Sequence, residues 1–160
     1  MRKRPPLTHV KDKGEWGEIA FQAKALALGL SVSKPNGENQ PFDFIVTNGN
    51  GKMFRVQVKT GFCVTNNAYP VRCMRHDRPY GANDLDIVAV YIAPHDAWYI
   101  LPRKAIPPNG FPRFYPHKGQ GAYEQYRNRW SLITGDPLDD VREVGLTIHA
   151  AADGKSGDPA

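Results

Sequence analysis

The sequence predicts a mixed α/β domain, a central mixed β-sheet flanked by helices, and three observations carry that expectation. Apolar residues recur at helical spacing over 14–28. Two strand-like runs flank the turn Asn48-Gly49-Asn50-Gly51, and two more apolar runs follow at 87–92 and 98–101. At 160 residues the chain can bury a core of its own without disulfide or metal staples.

Taken in order, residues 1–12 combine Arg2, Lys3, Arg4 and Lys11 with two prolines. They read as a basic flexible arm, either touching phosphates or simply solvated. The domain proper is expected over 13–149. It opens with a helix over 14–28, whose apolar positions Trp16, Ile19, Ala20, Ala23 and Ala27 should face the core and which Gly29 stops. Residues 30–33 read as a short strand, ended by the turn-forming Lys34-Pro35-Asn36-Gly37. Strands over 42–47 and 52–59 follow as a hairpin, then strands 87–92 and 98–101 joined through Pro94-His95-Asp96. The first helix should pack across the hairpin. Between 60 and 85 only 71–74 suggests an edge strand, and 103–121 reads as loop. Residues 122–133 are expected to form a late helix, with Tyr123, Tyr126 and Trp130 on one face as core or as a base-stacking surface. The tail 150–160 has the composition of a disordered segment.

Lys and Arg number 21 against 16 Asp and Glu, a formal net charge of +5. Such a surface attracts polyanions, nucleic acid foremost, although soluble proteins without acidic partners carry similar excesses. Cys63 and Cys73 lack the spacing of a zinc site or a disulfide framework, and the five histidines are scattered. No run approaches the ~20 apolar residues of a membrane span, and the basic start is followed by Pro5-Pro6 rather than an apolar stretch. A cytoplasmic protein is expected.

The hairpin carries the chemistry. Along the strands Phe42, Phe44 and Val46 should share one face with Phe54, Val56 and Val58, leaving Asp43, Ile45, Arg55, Gln57 and Lys59 on the other. The two apolar faces coincide only if the loop has an odd number of residues, which Gly49-Asn50-Gly51 satisfies. That register sets Asp43 opposite Gln57, with Lys59 one diagonal step away. A carboxylate, an amide oxygen and an ammonium gathered at a strand end suit a hard cation and a phosphate. Taken singly, Asp43 could cap a strand and Lys59 could protect a sheet edge.

With Pro41-Phe42-Asp43 on one strand and Gln57-Val58-Lys59 on the next, the chain resembles the PD-(D/E)XK nuclease superfamily. Its motif is an acid at a strand start, then acid-X-Lys on the following strand. The run 37–61, with Asn39-Gln40 ahead of the aspartate, is similar to small endonucleases associated with group I introns and to Holliday junction resolvase-like proteins. The resemblance spans roughly 14–101 and implies a restriction-endonuclease-like core and Mg²⁺- or Mn²⁺-dependent cleavage of DNA. It further implies Asp43, Gln57, the Val58 carbonyl and Glu18 as metal ligands, Lys59 assisting the attacking water, and Glu18 supporting from the helix that Gly14-Glu15-Trp16-Gly17-Glu18 opens. One departure stands out: the superfamily usually has Asp or Glu where this chain has Gln57, so one ligand oxygen is neutral unless Glu18 or Glu38 supplies the charge.

Arg55, Lys34, Gln40 and Arg75 are the residues expected to contact nucleic acid, with Arg72, Arg78 and Lys104 as further basic candidates. Cleaving both strands with one small domain would favour a homo-oligomer, a dimer or tetramer. Two other functions fit the same residues: a non-catalytic nucleic-acid-binding module with a degenerate site, and an accessory protein with no nucleic-acid role.

Overall fold

A computed structural model describes residues 9–141; most of the expected basic arm and the whole tail lie outside these. Helix α1 (Val10–Ala27) leads into β1 (Ser31–Ser33), β2 (Phe44–Thr47) and β3 (Met53–Gly61). Then come β4 (Tyr69–Pro70), β5 (Ile87–Ile92), β6 (Ala97–Pro102), β7 (Arg113–Phe114) and a one-turn helix α2 (Ser131–Thr134). The main sheet runs β1-β2-β3-β5-β6. It is mixed, as expected: β3 and β5 are parallel, and the remaining neighbours are antiparallel. Among the described residues no helix is long and apolar enough to cross a membrane.

The hairpin has the predicted register, with Phe44 opposite Val56 and Val46 opposite Phe54. Asn48 makes the turn. Its Oδ1 accepts the N–H groups of Asn50 and Lys52, its backbone carbonyl accepts from Gly51, and its Nδ2 donates to the Ile133 carbonyl of α2. Gly51 has φ +78°, a conformation open to glycine at little cost.

Two cores sandwich the sheet. Ile87, Ala89 and Tyr91 of β5 alternate with Val88, Val90 and Ile92, so both faces of this strand are buried. On one side α1 and α2 bring Phe21, Ala25, Trp130 and Ile133 against Phe44, Val56 and Trp98. On the other side the cover is irregular chain: the β3-to-β5 crossover and the β4–β7 ribbon supply Tyr69, Val71, Cys73, Tyr80 and Phe114.

Several expectations are corrected. Helix α1 starts at Val10, ahead of the predicted 14, and buries a different face: Gly17, Phe21 and Ala25 turn inward. Ile19 is 55% and Leu26 62% exposed, and Trp16 sits at the rim on Phe62 and Tyr91. This helix carries apolar residues on more than one face, and close packing selects the face with the smallest residue. A Cβ on Gly17 would lie 1.9 Å from Thr60 Oγ1. Residues 71–74 are not a strand, because Pro112 opposite them has no N–H to return: Val71 donates to the Pro112 carbonyl and Cys73 to that of Gly110, without a ladder. Nor do 122–133 form one helix. Arg127 bridges to Tyr99 of β6 and Asn128 adopts φ +52°, which breaks the turn. Trp130 then packs in one core while Tyr123 and Tyr126 pack against the other.

The close approach of α1 to β3 sets a sign. Alanine in place of a mid-helix glycine ordinarily gains about 1 kcal/mol, but here the added methyl meets Thr60, and overpacking costs about 1–3 kcal/mol. We expect Gly17→Ala to lower the urea midpoint and Thr60→Ala in the same chain to recover most of the loss. A Gly17→Ala protein at least as stable as wild type would contradict the contact.

Candidate active site

The site begins where β2 leaves β3. Ladder pairing reaches Phe44–Val56 and stops, so Asp43 lies just outside the strand rather than within it, still opposite Gln57. Its N–H donates to the Val56 carbonyl at 2.9 Å, and its Oδ2 accepts the Val58 N–H at 2.8 Å. Phe42 was expected on the Phe44 face; it instead packs against the opposite core, because the chain turns away at Asp43.

Beyond Val56, β3 has no β2 partner, although its other edge stays paired to β5 as far as Gly61–Ile92. On the β5 side the Arg55 carbonyl accepts the Asp86 N–H, and the Arg55 N–H donates to the Asp86 carboxylate. By the alternation of a strand, Val56, Val58 and Thr60 turn their backbone groups to the open edge. The Val58 carbonyl therefore points into the gap beside Asp43, where it accepts from the Gln57 Nε2 at 3.5 Å.

Helix α1 closes the other side of this edge. Glu18 and Lys34 form an ion pair of 2.9 Å, and Lys34 is itself raised by that carboxylate. A groove runs between the start of α1 and β3, lined by Lys13, Glu18, Gln57, Val58, Lys59 and Thr60. Burial pushes the Asp43 carboxyl up to about 6 and Glu18 adds to the rise, against the Val58 N–H, Lys59 and Lys34, which pull it down. Asp43, Glu18, Gln57, Lys59 and Lys34 are thus one electrostatic neighbourhood. Lys13, whose Nζ sits 4.9 Å above the Phe62 ring, and Thr60 were missed by the sequence reading. The signal for Lys13 was hidden because the helix was started too late.

The basic candidates divide. Arg55 is engaged by Asp86 through two nitrogens and by the Asn83 and Ala82 carbonyls. Arg75 and Arg78 both bind Asp84, whose carboxyl they and the Gly81 N–H hold well below the usual range. These arginines fix the loop between β4 and β5. Gln40 and Arg75 meet Gln57 around a second cavity, of about 410 Å³.

The donor set suits a hard divalent cation: the Asp43 and Glu18 carboxylates, the Gln57 amide oxygen and the Val58 carbonyl. A carboxylate whose charge is costly through burial and a like-charged neighbour is one that a cation would relieve. Among the described residues no three His, Cys, Asp or Glu side chains come together as a metal cage.

Comparison with known proteins identifies the family and the fold. The family model of the PD-(D/E)XK endonucleases matches residues 8–111, and the chain belongs to that family. Among solved structures it is similar to the bacterial homing endonuclease I-Ssp6803I, at 24% identity and a TM-score of 0.67, over 79% of this chain and 92% of that one. At that identity the likeness is one of fold. No curated protein matches the chain.

The state of Asp43 can be read from stability. A carboxyl raised in the folded protein from its ordinary 3.8 to about 6 favours folding below its unfolded pKa, and that contribution is lost as pH rises through 6. In chelator we expect Asp43→Asn, which keeps an acceptor for Val58, to be more stable than wild type at pH 8 by about 1–3 kcal/mol. The gain should vanish near pH 4. Urea unfolding at the two pH values checks this; an equal effect at both would contradict it.

Proposed function

We propose that this member of the PD-(D/E)XK endonuclease family is a divalent-metal-dependent endonuclease that hydrolyses phosphodiester bonds in DNA. The observation that carries the reading is the Asp43 carboxylate fixed on the open edge of β3, opposite Gln57 and close to Lys59 and Glu18. When bound, Mg²⁺ or Mn²⁺ would polarise a phosphate oxygen and acidify a water.

The chain's own groups do the rest. Asp43 gives one oxygen to the Val58 N–H and would hold the cation with the other. Gln57 and the Val58 carbonyl would add neutral oxygens, and Glu18, steadied by Lys34, would support through a water. Lys59 orients the attacking water and stabilises charge developing on the phosphate. Lys13 lines the groove, and Lys34 pairs with Glu18 of the same groove; both are positions for the backbone on either side of the cut. Since Gln57 lacks the usual charge, cation affinity is modest, and Gln57→Glu should tighten it. Cleaving both strands would require two such sites, hence a dimer or tetramer. We place this activity in the cytoplasm.

Nicking of supercoiled plasmid with Mg²⁺ or Mn²⁺ tests the proposal. We expect wild type to nick, with Asp43→Ala and Lys59→Ala each slower by at least about 100-fold, the scale of losing one charge-stabilising or proton-handling group. Plasmid bound but never cut by wild type would favour the non-catalytic binding module. No binding even at low salt would favour the accessory role.

A further inference from the structure

The second cavity lies on the far side of Gln57 from the α1 groove, and Gln57 borders both. The cavity therefore adjoins the groove that Lys59 lines. Its near wall is the segment ahead of Asp43, with Glu38, Asn39 and Gln40; its far wall is Met74, Arg75 and Tyr80. The far wall is preformed: Arg75 and Arg78 pair across a tight turn, and Asp84 holds both guanidinium groups.

The chemistry of this lining is not that of a phosphate site. Its guanidinium is already paired with Asp84, and Glu38 would repel an anion. What remains is a set of amides, Asn39, Gln40 and Gln57, beside Pro41, the exposed His76 and the polarisable Met74, with Tyr80 of the second core beneath. The side chains of Glu38, Asn39 and Gln40 make no hydrogen bond to other described residues, so their donors and acceptors face the cavity or solvent. At about 410 Å³ it falls within the roughly 300–1,000 Å³ of small-molecule pockets. A flat, neutral, hydrogen-bonding group fits, and a carboxylate among amides selects one that carries an amino group.

We propose that this cavity receives an unstacked, amino-bearing base of the substrate, adenine, guanine or cytosine rather than thymine, from the nucleotide next to the cleaved phosphodiester. The proposal rests on the endonuclease reading. Extruding a base costs a few kcal/mol, which stacking against apolar side chains and hydrogen bonds to its pairing edge offset. The amides of Asn39 and Gln40, with Glu38, would supply those bonds, while Met74 and His76 would supply the surface against which the base packs.

The test has two stages. Wild type cuts a randomised duplex pool, and sequencing the ends maps the cleaved position; thymine should be depleted beside the cut relative to the amino-bearing bases, whose amino group 2-aminopurine retains. A duplex of a preferred sequence then carries 2-aminopurine at that place and is bound by Lys59→Ala protein. We expect its fluorescence to rise several-fold on binding. Adding Asn39→Ala and Gln40→Ala, exposed positions without internal bonds, should remove the rise. Cleavage with no base preference beside the cut, or with no fluorescence change, overturns the pocket and leaves the endonuclease reading intact. Absence of cleavage by wild type overturns both.

Discussion

The hydrogen bond from the Val58 N–H to the Asp43 carboxylate, 2.8 Å long, joins the fold to the chemistry. A backbone carbonyl in that position would have continued the ladder of β2 on β3 and sealed the sheet edge. A carboxylate satisfies the same donor while ending the pairing, so the edge from Gln57 to Gly61 stays open on one side and rigid on the other through β5. The half-buried charge that results raises Asp43 to about 6. Stability is thereby traded for a ligand that a cation would complete.

The same tension appears in the basic residues. A net charge of +5 suggests a surface of free cations, yet Arg55, Arg75, Arg78 and Arg127 all pair with carboxylates. Two of those pairs fix the loop on the far side of Gln57. The positive groups that line the groove are lysines, Lys13 and Lys59, with Lys34 held on Glu18; their compact charges suit phosphate contact without a fixed fork. Arg75 and Arg78, held on Asp84, brace the wall of the second cavity.

How legible this was in the sequence follows from local rules. The hairpin register was readable because an odd loop between two alternating strands leaves one way to align the apolar faces, and Asn48 and Gly51 make that loop. With the register came Asp43 opposite Gln57. Strands β5 and β6 were readable as apolar runs too short for helices. The buried face of α1 was not readable, because its choice depends on Gly17 meeting Thr60, a contact across forty-odd residues. The second core layer was hidden for a similar reason: irregular chain follows no period, and Phe42 joins it only because Asp43 ends the strand. Tyr123, Tyr126 and Trp130 looked like one helical stripe, but the chain passes the sheet edge between them and divides them between two cores.

The central claim is that Asp43 binds the cation directly. Calorimetric titration of Mn²⁺ into metal-free protein at pH 6, in two buffers of different ionisation enthalpy, tests it. With a carboxyl at about 6, binding should release about half a proton per cation, and Asp43→Asn should lose both the release and most of the affinity. Mn²⁺ binding without proton release, and equally tight in Asp43→Asn, would contradict the account.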